Sequence, residues 1–73
     1  MIRDEFEKLI KSIGFKYDGY SYLYKEYIID LYDDHYKFYI FTEFTGRYEY
    51  NDLSPFDEYF KKELRRIKLK QIL

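Results

Sequence analysis

The stretch LYKEYIIDLYDDHYKFYIFTEF, residues 23–44, decides the fold. Tyr, Ile and Phe dominate it, as is typical of β-strands, and the adjacent acids Asp33 and Asp34 near its middle indicate a turn. If these two residues form the whole loop, Tyr32 faces His35, and the register of both strands follows from that pair. The stretch therefore predicts an antiparallel hairpin with Asp33-Asp34 at its tip.

This register separates the hairpin into one apolar face and one mixed face. The apolar face carries Leu23, Tyr27, Ile29 and Leu31 opposite Phe44, Ile40, Phe38 and Tyr36. On the mixed face Asp30 lies opposite Lys37, an opposite-charge pair. A shift of one residue would mix the two faces, so we expect Asp30 to face Lys37 and Ile29 to face Phe38. The apolar face is expected to form one side of the core.

A helix is predicted before the strands. Its apolar residues follow helical spacing: Ile2, Phe6, Leu9, Ile10 and Ile13. Gly14 comes directly after them, where a glycine commonly ends a helix, and Phe15 is then expected to contact Ile10.

Asp18-Gly19 indicates a turn between this helix and the central hairpin. A two-residue loop would place Phe15 and Tyr17 on the mixed face, away from the helix. A three-residue loop, Tyr17-Asp18-Gly19, pairs Phe15 with Ser21 and returns Phe15 to the core. We prefer the longer loop because the end of the helix also requires Phe15.

After the hairpin the pattern changes back to helix. Thr45-Gly46-Arg47 indicates a turn, and Tyr48-Glu49-Tyr50 a short fourth strand. Ser54 and Pro55 predict the N-cap and first residue of a second helix. Its apolar stripe is Phe56, Tyr59, Phe60, Leu64 and Ile67. The later apolar residues Leu69, Ile72 and Leu73 fall off that stripe, so the helix is expected to end near residue 68.

These elements predict one α+β domain over residues 1–73. It consists of an N-terminal helix, an antiparallel β-meander of three to four strands and a C-terminal helix. Both helices are expected to pack on the same face of the sheet.

Composition argues against an enzyme. The chain has no Cys, which excludes disulfides and thiolate metal sites, and its three glycines are all assigned to a helix end or a turn. His35 adjoins two acids, but side chains on one tight turn diverge, so we expect no metal. No catalytic residue and no cofactor is predicted.

The mixed face of the sheet is the first candidate binding surface. Its exposed apolar side chains are Tyr20, Tyr22, Tyr24, Ile28, Tyr32, Tyr39 and Phe41. Two helices cover only one face of a small sheet, and exposed aromatic patches mark binding sites. Within this set, Tyr22, Tyr24, Tyr39 and Phe41 are predicted to contact a protein partner. The alternative is that tyrosine simply tolerates solvent, with the C-terminal tail covering part of the face.

The basic C-terminal end is the second candidate. Residues 1–60 carry seven Lys or Arg against thirteen acids, whereas residues 61–73 carry six basic residues and one acid. The cations are Lys61, Lys62, Arg65, Arg66, Lys68 and Lys70. Cations stabilise the C-terminus of a helix, and they could neutralise the acidic body within one molecule or a homodimer. The functional alternative is that Lys61, Lys62, Arg65 and Arg66 contact nucleic acid.

In size and composition the chain resembles small accessory proteins of viruses and mobile elements, including anti-CRISPR proteins and other inhibitors of host enzymes. That resemblance implies a non-enzymatic inhibitor or accessory function and carries no residue assignments. No apolar stretch that could act as a signal peptide follows the charged N-terminal residues, and none approaches the roughly 20 residues of a membrane span. We therefore expect a soluble cytoplasmic protein without a membrane partner.

Overall fold

The computed structural model describes the backbone of residues 2–72 and the side chains of residues 2–67. It confirms the α+β class, with five strands where three to four were predicted. The elements are α1 (Arg3–Ile13), β1 (Lys16–Tyr17), β2 (Tyr22–Tyr24), β3 (Tyr27–Leu31), β4 (His35–Ile40), β5 (Glu43–Glu49), α2 (Ser54–Tyr59) and α3 (Lys61–Ile72). The strands form one antiparallel sheet in the order of the chain.

The central hairpin has the predicted register. Asp30 faces Lys37 and Ile29 faces Phe38. The Tyr32 N–H donates to the His35 carbonyl at 2.9 Å and closes the loop. The register is fixed because it buries Ile29 and Phe38 together on the helix side.

Two further turns interrupt stretches that the sequence predicted as continuous strand. Lys25-Glu26 joins β2 to β3, and Phe41-Thr42 joins β4 to β5. Lys25 and Phe41 have φ angles of 52° and 58°, which bulky residues rarely adopt. The Phe41 N–H donates to the Glu26 carbonyl at 2.6 Å, which ties the two turns together.

These turns reverse the predicted faces of the outer strands. Leu23 and Phe44 were predicted in the core, but both are exposed on the opposite side of the sheet. Tyr22 and Tyr24 were predicted on the open face, but Tyr22 is buried and Tyr24 packs against the core. The prediction treated residues 23–31 and 35–44 as continuous strands, in which every second residue lies on the same face. Each unpredicted two-residue turn pairs an even-numbered residue with an odd-numbered one, Tyr24 with Tyr27 and Ile40 with Glu43. Even-numbered residues before the turn therefore share a face with odd-numbered residues after it.

Neither predicted form of the first loop is correct. Tyr17 pairs with Tyr22, so the loop contains four residues, 18–21. The Asp18 carboxylate accepts the N–H groups of Tyr20 and Ser21 at 2.9 and 2.8 Å and holds the loop in shape. Phe15 is nevertheless buried, as predicted.

The helix α1 ends as predicted at Gly14, which has a φ of 133°. The N–H groups of Gly14 and Phe15 donate to the Ile10 carbonyl at 3.2 and 3.0 Å. Phe6, Ile10 and Ile13 are buried, and Ile2 is exposed.

Thr45-Gly46-Arg47 is not a turn, because these residues lie within β5. The register shifts by one residue between Phe38 and Tyr39, which leaves Thr45 as a β-bulge. Gly46 has no side chain, and the Tyr48 ring occupies the space where its Cβ would be. Tyr48 and Glu49 belong to β5, while Tyr50 follows it as a buried residue.

The C-terminal helix is divided in two. Ser54 is the first residue of α2 and not its N-cap, and its N–H donates to the Asp52 carboxylate at 3.1 Å. The helix breaks at Phe60, and α3 continues to Ile72, beyond the predicted end near residue 68. The side chains of Leu69, Ile72 and Leu73 lie outside the described residues.

The core lies between the sheet and the helices, which pack on one face of the sheet as predicted. Its buried residues are Phe6, Ile10, Ile13, Phe15, Tyr22, Ile29, Tyr36, Phe38, Tyr50, Phe56 and Phe60. The rings of Phe6 and Tyr36 stack at its centre, 4.3 Å apart. Ile40 and Leu64, also predicted in the core, are partly buried against it. Within residues 2–72 no helix combines the length and apolar character that a membrane crossing requires.

Candidate binding surface

The outer face is the side of the sheet that faces away from the helices, and an apolar row crosses it. The row consists of Leu23, Ile28, Tyr39 and Phe44. Each residue faces the next one across neighbouring strands β2 to β5, and the rings of Tyr39 and Phe44 are 5.5 Å apart. With strands spaced by about 4.8 Å, the row extends roughly 15 Å across the sheet.

The row is accessible to a partner. Phe44 is 57% exposed and Leu23 is 38% exposed, while Ile28 and Tyr39 between them are half-buried. Phe41, at the turn beside the row, is 68% exposed. Large apolar side chains clustered on one open face favour a binding function.

A charged row runs beside the apolar row. Asp30, Lys37 and Arg47 face one another in sequence across β3, β4 and β5. The Ser21 hydroxyl donates to the Asp30 carboxylate, and the Lys37 ammonium lies 5.0 Å from the centre of the Tyr32 ring. These contacts engage Asp30 and Lys37 beside the apolar row.

A stacked pair lies at the end of the outer face near the β3–β4 loop. The rings of Tyr32 and His35 are nearly parallel and 4.7 Å apart. His35 Nδ1 lies 2.6 Å from the Asp34 carboxylate. This hydrogen bond lowers the pKa of the Asp34 carboxyl below its ordinary value.

Two of the predicted partner-binding residues, Tyr22 and Tyr24, are absent from the outer face. Tyr22 is only 4% exposed, and its hydroxyl donates to the Glu7 carboxylate. Burial, and then the hydrogen bond with Glu7, raise the pKa of Tyr22 to about 12. The Tyr24 ring packs 5.3 Å from that of Phe15, and its hydroxyl donates to Glu63 at 2.9 Å. Both tyrosines join the sheet to the helices.

The other two predicted residues, Tyr39 and Phe41, lie on or beside the apolar row, and their contact with a partner stays a prediction. The sequence did not assign Leu23 and Phe44 to this surface. To find them, the turns at Lys25-Glu26 and Phe41-Thr42 would have to be recognised, and neither contains the residue types that favour turns. Tyr20 lies in the β1–β2 loop, away from the row, and is 91% exposed.

The predicted basic residues lie on α3, in the helix layer. Lys61, Lys62, Arg65 and Arg66 are all exposed, and the Arg66 guanidinium also donates to the Ile13 carbonyl at 3.3 Å and joins α3 to α1. None of the four forms an ion pair with the side chains described up to residue 67. This cationic surface is therefore separate from the outer face of the sheet.

Comparisons with models of protein families, with curated proteins and with solved structures find no match to this chain.

Proposed function

We propose that this protein is a non-enzymatic protein-interaction domain that binds a protein partner through the apolar row of its outer face. The main support is the apolar row, in which Leu23 and Phe44 are exposed on regular strands and no helix described within residues 2–72 lies over them. Burying one such side chain at an interface contributes about 1.5–3 kcal/mol. Small size and the absence of Cys favour an inhibitor or accessory protein of a virus or mobile element.

Charge favours protein over nucleic acid as the partner of this face. The charges on the strands of this face are nearly balanced, because Asp30 and Glu49 accompany Lys16, Lys37 and Arg47. Aromatic sheet faces that stack nucleic-acid bases are electropositive, because phosphate contacts supply most of the affinity. A mixed surface with an apolar centre is instead typical of protein interfaces.

The test is affinity capture from cells that naturally express the protein, with mass spectrometry of the captured proteins. Replacing Phe44 by Ser, together with Leu23 by Ser, is expected to remove the partner without unfolding, because both side chains are exposed. The matched control is Tyr20→Ser, which removes a more exposed aromatic ring away from the row. Capture that survives the double substitution, or is lost equally in the control, would refute this assignment.

The second candidate function is nucleic-acid binding by Lys61, Lys62, Arg65 and Arg66. The supporting observation is that the first three are exposed cations with no ion pair among the described side chains. In this case an oligonucleotide would bind with an affinity that falls steeply with salt, because each phosphate contact adds close to one unit to the slope of log affinity against log salt concentration. Changing Lys61, Lys62 and Arg65 to Gln would then abolish binding, and the Phe44 variant would keep it.

A further inference from the structure

The strand β5 is an open edge of the sheet, and most of its residues are exposed. The helix α2 does not cover it. The ring of Phe56 in α2 lies over Tyr36 on β4, and the ring of Tyr59 lies over Phe38 on β4 and Tyr27 on β3. An uncovered edge strand has backbone groups available for pairing with another strand.

The hydrogen-bonding pattern shows which backbone groups face this edge. The His35 carbonyl accepts the N–H of the residue after β3, so the backbone of His35 points toward β3. The backbone N–H and C=O groups alternate in direction along a strand. Those of Tyr36 therefore point toward β5, and those of its partner Tyr48 point back toward β4. Arg47 and Glu49, on either side of Tyr48, therefore direct their backbone groups toward the open edge.

The side chains of Arg47 and Glu49 are complementary to a second copy of themselves. The two residues share the outer face, and neither forms an ion pair with any described side chain. In an antiparallel pair of β5 strands centred on Tyr48, Arg47 of each copy faces Glu49 of the other. Centring the pair on Arg47 or on Glu49 instead would place like charges opposite each other, which is unfavourable.

We propose that the protein forms a twofold-symmetric dimer in which two β5 strands pair antiparallel about Tyr48. The Glu49 N–H of each copy donates to the Arg47 carbonyl of the other, while the Glu49 carbonyl retains its bond from the Asp52 N–H at 2.9 Å. The bulge at Thr45 limits the pairing to the second half of β5. The dimer has one continuous ten-stranded sheet, with the apolar rows of both copies on the same side.

Charge reversal tests the pairing register in the full chain. Sedimentation equilibrium is expected to show a reversible dimer for the wild type. Arg47→Glu or Glu49→Arg should each raise the dimer dissociation constant by roughly tenfold or more, because both symmetric pairs become repulsive. The double variant R47E/E49R should restore it to within roughly threefold. A monomer at all concentrations up to about 1 mM, or single variants that dimerise like the wild type, would overturn the proposal.

A disulfide tests the symmetry axis. Facing residues at the centre of this pairing have Cα atoms about 4.5 Å apart, within the range that a disulfide spans. The chain contains no Cys, so Tyr48→Cys would introduce the only thiol. It is expected to give a covalent dimer on mild oxidation, whereas the control Tyr17→Cys, on the opposite edge strand β1, should stay monomeric. Equal cross-linking of both variants would show that the contact is not specific to β5.

Discussion

Replacing Gly14 with Ala is expected to destabilise the fold more than replacing Gly19, the other glycine with a positive φ angle, with Ala. Gly14 has a φ of 133°, where an L-residue is strained by about 1–3 kcal/mol. An added Cβ would also lie 2.7 Å from Cε1 of Tyr24. That ring cannot move freely, since Phe15 and Phe60 contact it and its hydroxyl donates to Glu63. Crowding of this kind adds about 1–3 kcal/mol.

Gly19→Ala is the matched control for the backbone contribution. Gly19 also has a positive φ, 104°, but a Cβ there would meet no atom within 4 Å. Urea unfolding followed by far-UV circular dichroism should therefore show that both variants are destabilised. The free energy of unfolding of Gly14→Ala should be about 1–3 kcal/mol lower than that of Gly19→Ala. Equal destabilisation of the two variants would refute the assigned clash.

A double-mutant cycle isolates the contact itself. Tyr24→Ala removes the ring that the new methyl group would meet. In that background the additional cost of Gly14→Ala is expected to fall to that of Gly19→Ala, because only the backbone strain remains. An unchanged cost would show that the destabilisation arises from the backbone alone.

Two further predictions concern the core and its response to alkali. Phe38→Ala should reduce the free energy of unfolding by about 3–5 kcal/mol, because Phe38 is buried. Leu23→Ala, on the outer face, should reduce it by less than about 1 kcal/mol. Thermal denaturation that shows similar losses for the two variants would contradict the assignment of Leu23 to the outer face. The pKa of Tyr22 is raised to about 12 in the folded protein. The protonated hydroxyl therefore contributes fully to the stability of the fold below the ordinary tyrosine pKa near 10, and this contribution is lost as the pH rises toward 12. Wild type should thus lose roughly 2 kcal/mol more stability than Tyr22→Phe between pH 9 and pH 12, and parallel pH profiles would exclude this linkage.

The central hairpin could be predicted because local and tertiary signals agree there. Asp33-Asp34 has the composition of a turn, and only one register places Ile29 and Phe38 together on an apolar face. The helix end at Gly14 was likewise readable, because glycine is the residue that favours positive φ. In both places residue type and packing demand the same conformation.

The neighbouring turns could not be predicted because residue type and packing disagree. Lys25 and Phe41 adopt positive φ without the glycine, asparagine or aspartate that normally marks such a position. The sheet imposes these conformations to bring β2 and β5 beside the central hairpin. Conversely, Thr45-Gly46-Arg47 has turn composition but forms part of a strand, where Gly46 leaves space for the Tyr48 ring. For this reason Tyr22 and Tyr24 lie on the helix side and not on the predicted open face, because the unpredicted turn at Lys25-Glu26 exchanges the two faces of β2.

The order of the strands has a consequence for how the chain folds. Every strand pairs with its neighbour in sequence across a short connection, so each hairpin forms with little loss of loop entropy. The helix layer, in contrast, joins opposite ends of the chain: Phe6 of α1 meets Phe56 of α2, and Arg66 of α3 reaches Ile13. Contacts between residues so distant in sequence are the slower ones to form. The sheet can thus assemble first, and we expect closure of the two ends over Tyr36 to limit the folding rate.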